Sequence, residues 1–189
     1  MLPIGPLANQ PKNINFLLPH RFRVNVRRLP NVVYYCQEVN IPGLSTGSAM
    51  QPTPFANVQL PGNKLTFEDL TITFSIDEDM QNYREIQRWI RGTSMPYSFD
   101  QFKALAQYSL SNNAYDGATS DIYLTVLDNS ENPTVQIVFS GCFPVSIGAV
   151  QFDSKMTDAT SVSVSATFKY TLYTFVDNPS SDLVATMGA

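Results

Sequence analysis

The residue types that carry most protein chemistry are few here and badly placed for it. His20 is the only histidine and sits beside Pro19, so no histidine-based triad, histidine pair or histidine-rich metal cluster can be assembled. Cys36 and Cys142 are the only cysteines, and the neighbours of Cys36 (Tyr34, Tyr35, Gln37, Glu38) supply no base to lower its thiol pKa. Both lie in apolar, strand-like runs, which reads as two small buried hydrophobes rather than a disulfide framework. The carboxylates Glu68-Asp69 and Asp77-Glu78-Asp79 could furnish a pair for glycoside hydrolysis, but a helix start already accounts for the second group. No GxGxxG or GxxxxGK[ST] phosphate loop occurs. The expectation is a protein without catalytic, cofactor-binding or metal-binding residues.

A binding role has more support than a catalytic one. Arg21, Arg23, Arg27 and Arg28 form a basic stripe whose guanidinium groups could meet phosphates or carboxylates; the alternative is a solvated strand face. A sequence pI near 4.8 favours a neighbouring subunit's carboxylates over nucleic acid as the main partner. Charge is also split along the chain. Residues 1–103 carry ten Lys/Arg against eight Asp/Glu, and residues 104–189 two against eight, so the first part is +2 and the second -6. Such a split either brings opposite fields together between subunits or is uneven decoration of a soluble surface.

These residues need elements to hold them. With 189 residues, 43% hydrophobic and 15% charged, the chain suits one domain with a proper core. No export signal or apolar stretch near 18 residues is visible, so synthesis and retention in the cytosol without membrane binding are expected. Residues 1–20, with four prolines, read as an extended arm. Residues 21–27 alternate Arg21, Arg23, Asn25 and Arg27 against Phe22, Val24 and Val26, a half-buried strand, and a second strand is expected over residues 32–39. Residues 40–64 are rich in proline and glycine and read as a long connection or exposed hairpin around a short strand near residues 55–60. Leu70, Ile72, Phe74 and Ile76 alternate with hydroxyls, another one-faced strand.

The acidic corner then leads into one clear helix with Met80, Tyr83, Ile86, Trp89 and Ile90 on its core face, Arg84, Arg88 and Arg91 later, and Gly92 as its stop. A second helix over residues 99–110 would place Phe102, Leu105 and Tyr108 on one face. Strands are expected at residues 122–127, 135–139 and 150–152. The cleanest alternation follows, with Val162, Val164, Ala166, Phe168, Tyr170 and Leu172 against Ser161, Ser163, Ser165, Thr167, Lys169 and Thr171. So long a strand needs a pairing partner along its full length, which another chain could supply. Residues 177–189 lose periodicity and read as a tail.

Three blocks, in order, resemble the tail tube proteins of contractile-tailed bacteriophages. The run from Pro61 to Phe74 through Thr66-Phe67-Glu68-Asp69, followed by the acidic corner and the helix with Trp89, looks like that family's turn, strand, corner and helix. Residues 35–43, ending Ile41-Pro42-Gly43, resemble its early strand and proline turn. Residues 139–148, with Gly141, Pro144, Ile147 and Gly148, resemble its corner before the final hairpin. The resemblance covers roughly residues 22–175, so the expected layout is an arm (1–20), a tail-tube domain (21–176) with an insertion near 93–120, and a tail (177–189).

The resemblance implies a mainly β fold of two packed antiparallel sheets, a sandwich or partial barrel with one flanking helix, closing into a continuous barrel in a hexameric ring. Rings would stack through a hairpin and the terminal arms into a conduit for DNA. Tail sheath, baseplate and tape measure proteins would be the partners, in a virion assembled in the host cytoplasm. Under it, Ser163, Ser165, Thr167 and Thr171 line the lumen, the opposite assignment being that these hydroxyls face outward. Arg21, Arg23, Arg27, Pro52 and Phe55 lie between subunits, with Arg23 and Arg27 meeting acids of the later half. The arm, insertion and tail exceed the family minimum, which leaves open a tube initiator of the baseplate. A type VI secretion tube protein is a second alternative, and an enzyme or carbohydrate-binding sandwich is the third.

Overall fold

Alternating patterns become strands wherever one face finds the core. The computed structural model describes residues 14–94, 97–108, 117–155 and 161–177. Its strands are β1 (Phe22–Val26), β2 (Cys36–Val39), β3 (Leu44–Pro52), β4 (Asn57–Phe67), β5 (Leu70–Ser75), β6 (Ser120–Leu127), β7 (Pro133–Ile147), β8 (Ser163–Lys169) and β9 (Leu172–Asp177). Helices α1 (Pro30–Tyr34), α2 (Gln81–Ser94) and α3 (Asp100–Lys103) lie between them, and α3 runs on into a 3-10 turn over Ala104–Tyr108. Most of the expected arm and tail (residues 1–13 and 178–189) and part of the insertion (95–96 and 109–116) lie outside the described residues.

Seven strands join in one antiparallel path, β1-β6-β7-β8-β5-β2, with β9 also on β7, while β3 and β4 form a separate two-stranded ribbon. The path folds on β7. Its first half pairs with β6 and β9 (Phe139 opposite Ile122 and Tyr173), and its second half pairs with β8 (Pro144 opposite Phe168). Between the halves Gly141 takes φ +66°, a left-handed conformation that a side chain resists. The two wings enclose one core: Val24, Val26, Ile122, Leu124, Ile137 and Phe139 from one, Leu70, Ile72, Phe74, Val164, Ala166 and Phe168 from the other. Strands β1 and β2 end the path without meeting, so the single chain forms an open partial barrel.

Helix α2 closes the core by burying Asn82, Ile86, Trp89 and Gly92 along one face, with Trp89 against Phe168 at 6.1 Å between ring centroids. Tyr83 and Ile90 pack partly buried beside them.

The expected elements differ from these in several places. Residues 32–34 are helical rather than extended, because Pro30 fixes the first turn of α1 while Leu29 and Val32 anchor it in the core. Among the described residues α1 and α3 stand beside α2, where the resemblance implies one flanking helix. Met80 precedes α2, with φ 54°, and the acids at residues 77–79 occupy the turn before it, so the first turn of α2 holds no acid. Gly92 does not stop the helix; it lies inside α2 where a Cβ would stand 2.8 Å from the Leu105 side chain, making it a packing glycine. Residues 150–152 form no strand. The long last strand is divided at Tyr170 and Thr171 into β8 and β9, and β7 of the same chain pairs with both parts.

Replacing Gly141 by Ala should cost about 1–2 kcal/mol from the left-handed backbone alone. The added Cβ would also stand 2.9 Å from Thr171 Oγ1. Urea unfolding of the G141A variant measures the loss.

Candidate assembly surfaces

Three surfaces remain after the core is filled. The first is the β3–β4 ribbon, where every residue of β3 is exposed and only two of β4 are even half-buried. Leu44, Met50, Val58, Leu60 and Leu65 all show apolar surface to solvent, and at the tip Phe55 is 99% exposed. Thr53 and Ala56 close the tip, with Thr53 N–H donating to the Ala56 carbonyl (3.1 Å) and Ala56 N–H to Thr53 Oγ1 (3.2 Å). Part-way down, the register slips between Thr46 and Ser48. A Cβ on Gly62 there would lie 2.3 Å from the Gly47 carbonyl oxygen, so only glycine fits.

The ribbon is aimed by its root. Tyr170 Oη donates to the Glu68 carbonyl (3.0 Å) and Tyr173 Oη to the Pro42 carbonyl (3.3 Å), one bond on each leg. Phe67 meets both tyrosine rings edge-on, at 5.7 and 5.9 Å between centroids. Burial first, then the neighbouring Tyr173 and Asp69, push the Tyr170 hydroxyl up to about 12, so it stays a donor at neutral pH.

The second surface is the hydroxyl side of β5 and β8. Ser163, Ser165 and Thr167 stand opposite Ser75, Thr73 and Thr71, and Thr167 also stands opposite Ser146 of β7. Val164, Ala166 and Phe168 of the same strand are buried, so the hydroxyls face away from the core. Gln37 ties the edge together, donating from Nε2 to Ser75 Oγ (2.5 Å) and accepting at Oε1 from Ser163 Oγ (2.9 Å). The one cation of β8, Lys169, pairs with Asp69. Thr171 lies past the end of β8, near the Gly141 bend.

The arginine stripe is the third, and the fold divides it. Arg21 pairs with Glu131 of its own β6–β7 turn at 3.5 Å. Arg23 is exposed on the edge strand β1 and Arg27 is exposed just beyond it. Arg28 is buried, donates to the Gly117 carbonyl and lies over the Trp89 ring, 4.5 Å from its centroid. It is therefore part of the packing rather than of an outward stripe.

The thiols offer no nucleophile. Burial pushes Cys36 up to about 11 and Cys142 up to about 12, the latter helped by Asp121, so both are protonated at neutral pH.

This combination of an open two-winged sheet, a bare ribbon and a polar strand face accompanies a sequence match over most of the chain. The model of the phage tail tube protein family matches residues 12–176. The chain belongs to that family. Among curated proteins, none matches it in sequence. Solved structures share the fold at low identity. The tube-terminating cap of the anti-feeding prophage superposes with a TM-score of 0.61 at 12% identity, over 92% of this chain and 99% of that one. A chain of the anti-feeding prophage baseplate gives 0.60 at 11% identity, over 88% and 99%. A chain of the PVC sheath–tube complex, an extracellular contractile injection system in the extended state, gives 0.59 at 13% identity, over 87% and 93%.

Of the expected inter-subunit set, Phe55 and Pro52 share the ribbon tip, while Arg21, Arg23 and Arg27 sit on and around β1, a different element. Sequence reasoning missed Thr71, Thr73, Ser75, Ser146 and Gln37 as neighbours of the β8 hydroxyls, since only the strand pairing brings them together. It also missed Asn82, fully buried, whose Nδ2 donates to the Ser75 carbonyl at 2.7 Å and joins α2 to β5.

Tyr170→Phe and Tyr173→Phe should each cost about 0.5–1.5 kcal/mol by leaving a carbonyl without its donor. In hydrogen exchange, amides of residues 44–67 should exchange faster in the double variant while those of β6 keep their protection.

Proposed function

We propose that this chain is the main subunit of a contractile phage tail tube, six copies closing a ring and rings stacking head to tail. The observation that carries the reading is the β3–β4 ribbon. A two-stranded hairpin is marginal alone in water, and this one exposes apolar side chains along its length with only its root tied to the body. A second copy covering it would supply what the single chain lacks. Within a ring, the edges of β1, β2 and β9, unpaired among the described residues, offer ladders to a neighbour, and a sheet closed across six subunits leaves no edge.

The hydroxyl face is our candidate for the lumen, with Ser163, Ser165, Thr167 and Thr171 joined by Thr71, Thr73 and Ser75. Small hydroxyls with their single cation paired give passing DNA little to hold. Pro52 and Phe55 would make the contact between rings, and Arg23 and Arg27 would meet acids of a neighbour. Exposed pairs add only ~0.2–1 kcal/mol each, so the apolar ribbon carries the affinity. Sheath, baseplate and tape measure proteins complete the assembly, in a virion put together in the host cytoplasm. The chain does its work by packing, without catalysis. A tube initiator would share the fold and differ in polymerising only on a baseplate.

Negative-stain electron microscopy of the purified protein tests this directly. Rings and tubes are expected, and Phe55→Asp should leave rings but shorten the stacks. A compact monomer at high concentration, with no annular or filamentous particles, overturns the proposal. If the hydroxyl face lines the lumen, a phage carrying Ser165→Arg and Thr167→Arg should still assemble tails but eject DNA more slowly. Unaltered ejection would place that face outside.

A further inference from the structure

Four of the seven arginines converge on one cleft that neither the ribbon nor the hydroxyl face uses. It lies where the end of β1, α1, α2 and α3 meet, and encloses about 560 Å³. Arg27, Arg28, Arg88 and Arg91 line it, with Glu85 the single acid among its lining residues. Pro30 adds exposed apolar surface, while Trp89 and Leu105 lie almost wholly buried beneath the arginines. Glu85 is engaged on one oxygen, its Oε1 accepting from Asn31 Nδ2 at 2.6 Å, while its buried Oε2 has no hydrogen-bond partner among the described residues. Arg91 lies over the Tyr97 ring at 5.0 Å. Arg27 and Arg88 are exposed and make no ion pair among the described residues, where the three pairs are Arg21–Glu131, Lys103–Asp100 and Lys169–Asp69.

We infer that this cleft binds an acidic segment of a partner protein, its carboxylates on Arg27, Arg88 and Arg91 and an apolar side chain against Pro30. Guanidinium forks suit carboxylates, and the cleft is large enough for a few side chains. The exposed Pro30 ring beside the guanidinium groups suits a ligand that mixes acid with hydrocarbon. Nucleic acid is disfavoured because its recognition uses a basic track along a surface. Here four arginines are gathered at one cleft of a chain with net charge -4. The inference stands apart from tube formation, since it requires no second copy of this chain.

The protein carries its own reporter, because Trp89 is the only tryptophan and lines the cleft. Full-length protein, at a concentration where electron microscopy shows its assembly state, is titrated with an end-blocked peptide of alternating glutamate and leucine while tryptophan fluorescence is followed. A saturable, salt-sensitive change is expected, weakened about tenfold or more by the double variant Arg27→Glu, Arg88→Glu. Lys155→Glu, a charge change outside the cleft, should leave the affinity as it was. Circular dichroism checks the fold of the double variant; should it be lost, the milder Arg88→Gln, at an exposed helical position, takes its place, with a several-fold weakening expected. No saturable change, or equal affinity in the folded arginine variant, overturns the inference. Tighter binding of an oligothymidine than of the peptide, with loss in the same variant, overturns it in favour of nucleic acid. Because assembly is read separately by microscopy, failure of the tube proposal and failure of this one are distinguishable.

Discussion

One strand, β7, has to serve two wings of sheet, and it can do so because Gly141 takes a left-handed backbone between its two halves. On one side of that bend β7 pairs with β6 and β9, and on the other with β8. The two wings then face each other closely enough for Phe139 and Phe168 to belong to one core. Without the bend, the fifteen residues of β7 would lie in a single flat ladder and half of the inward side chains would lose their partners. The partner strand breaks at the corresponding place. Tyr170 and Thr171 leave the ladder there, and Thr171 N–H rejoins it on the Ser140 carbonyl at 3.0 Å.

That break is also where the ribbon is held. Tyr170 and Tyr173 flank the interruption of the last strand, and their hydroxyls reach the two legs of the hairpin at Glu68 and Pro42. The orientation of β3–β4 is thus set at its root, since among its residues only Gly62 and Phe67 are even half-buried. This explains how an element with no core of its own can project in a defined direction. Rigidity is borrowed from the aromatic cluster of Phe67, Phe139, Tyr170 and Tyr173 at its root.

What could be read from the sequence follows which residues had a buried face. In β1, β5 and β8 the period-2 pattern coincides with burial because one side meets the core. Ile86 and Trp89 marked α2 for the same reason at helical spacing. The ribbon was foreseen only as a long connection or exposed hairpin, since strands with both faces in solvent carry no alternation to find. The stretch Val32-Val33-Tyr34-Tyr35 reads as strand by propensity, yet tertiary anchoring at Leu29 and Val32, with Pro30 opening the turn, makes its first part helical. The arginine stripe looked like one surface until Arg28 was drawn inward onto Trp89. The hydroxyl face was half-visible in β8, but its continuation into β5 and Gln37 depends on pairing between residues far apart in the chain, which local patterns do not encode.

The same separation has a functional consequence. The ribbon, the hydroxyl face and the arginine cleft draw on different elements, and apart from Trp89 and Leu105 their contacting side chains point away from the core that holds them in place. A change at Phe55, at Thr167 or at Arg88 therefore alters one surface without removing apolar area from the interior, where most of the folding free energy resides. A subunit of the proposed assembly, meeting several different neighbours at once, would benefit from that arrangement. Each contact can be tuned against its own partner, while the bend at Gly141 and the aromatic root keep the surfaces in fixed relation to one another.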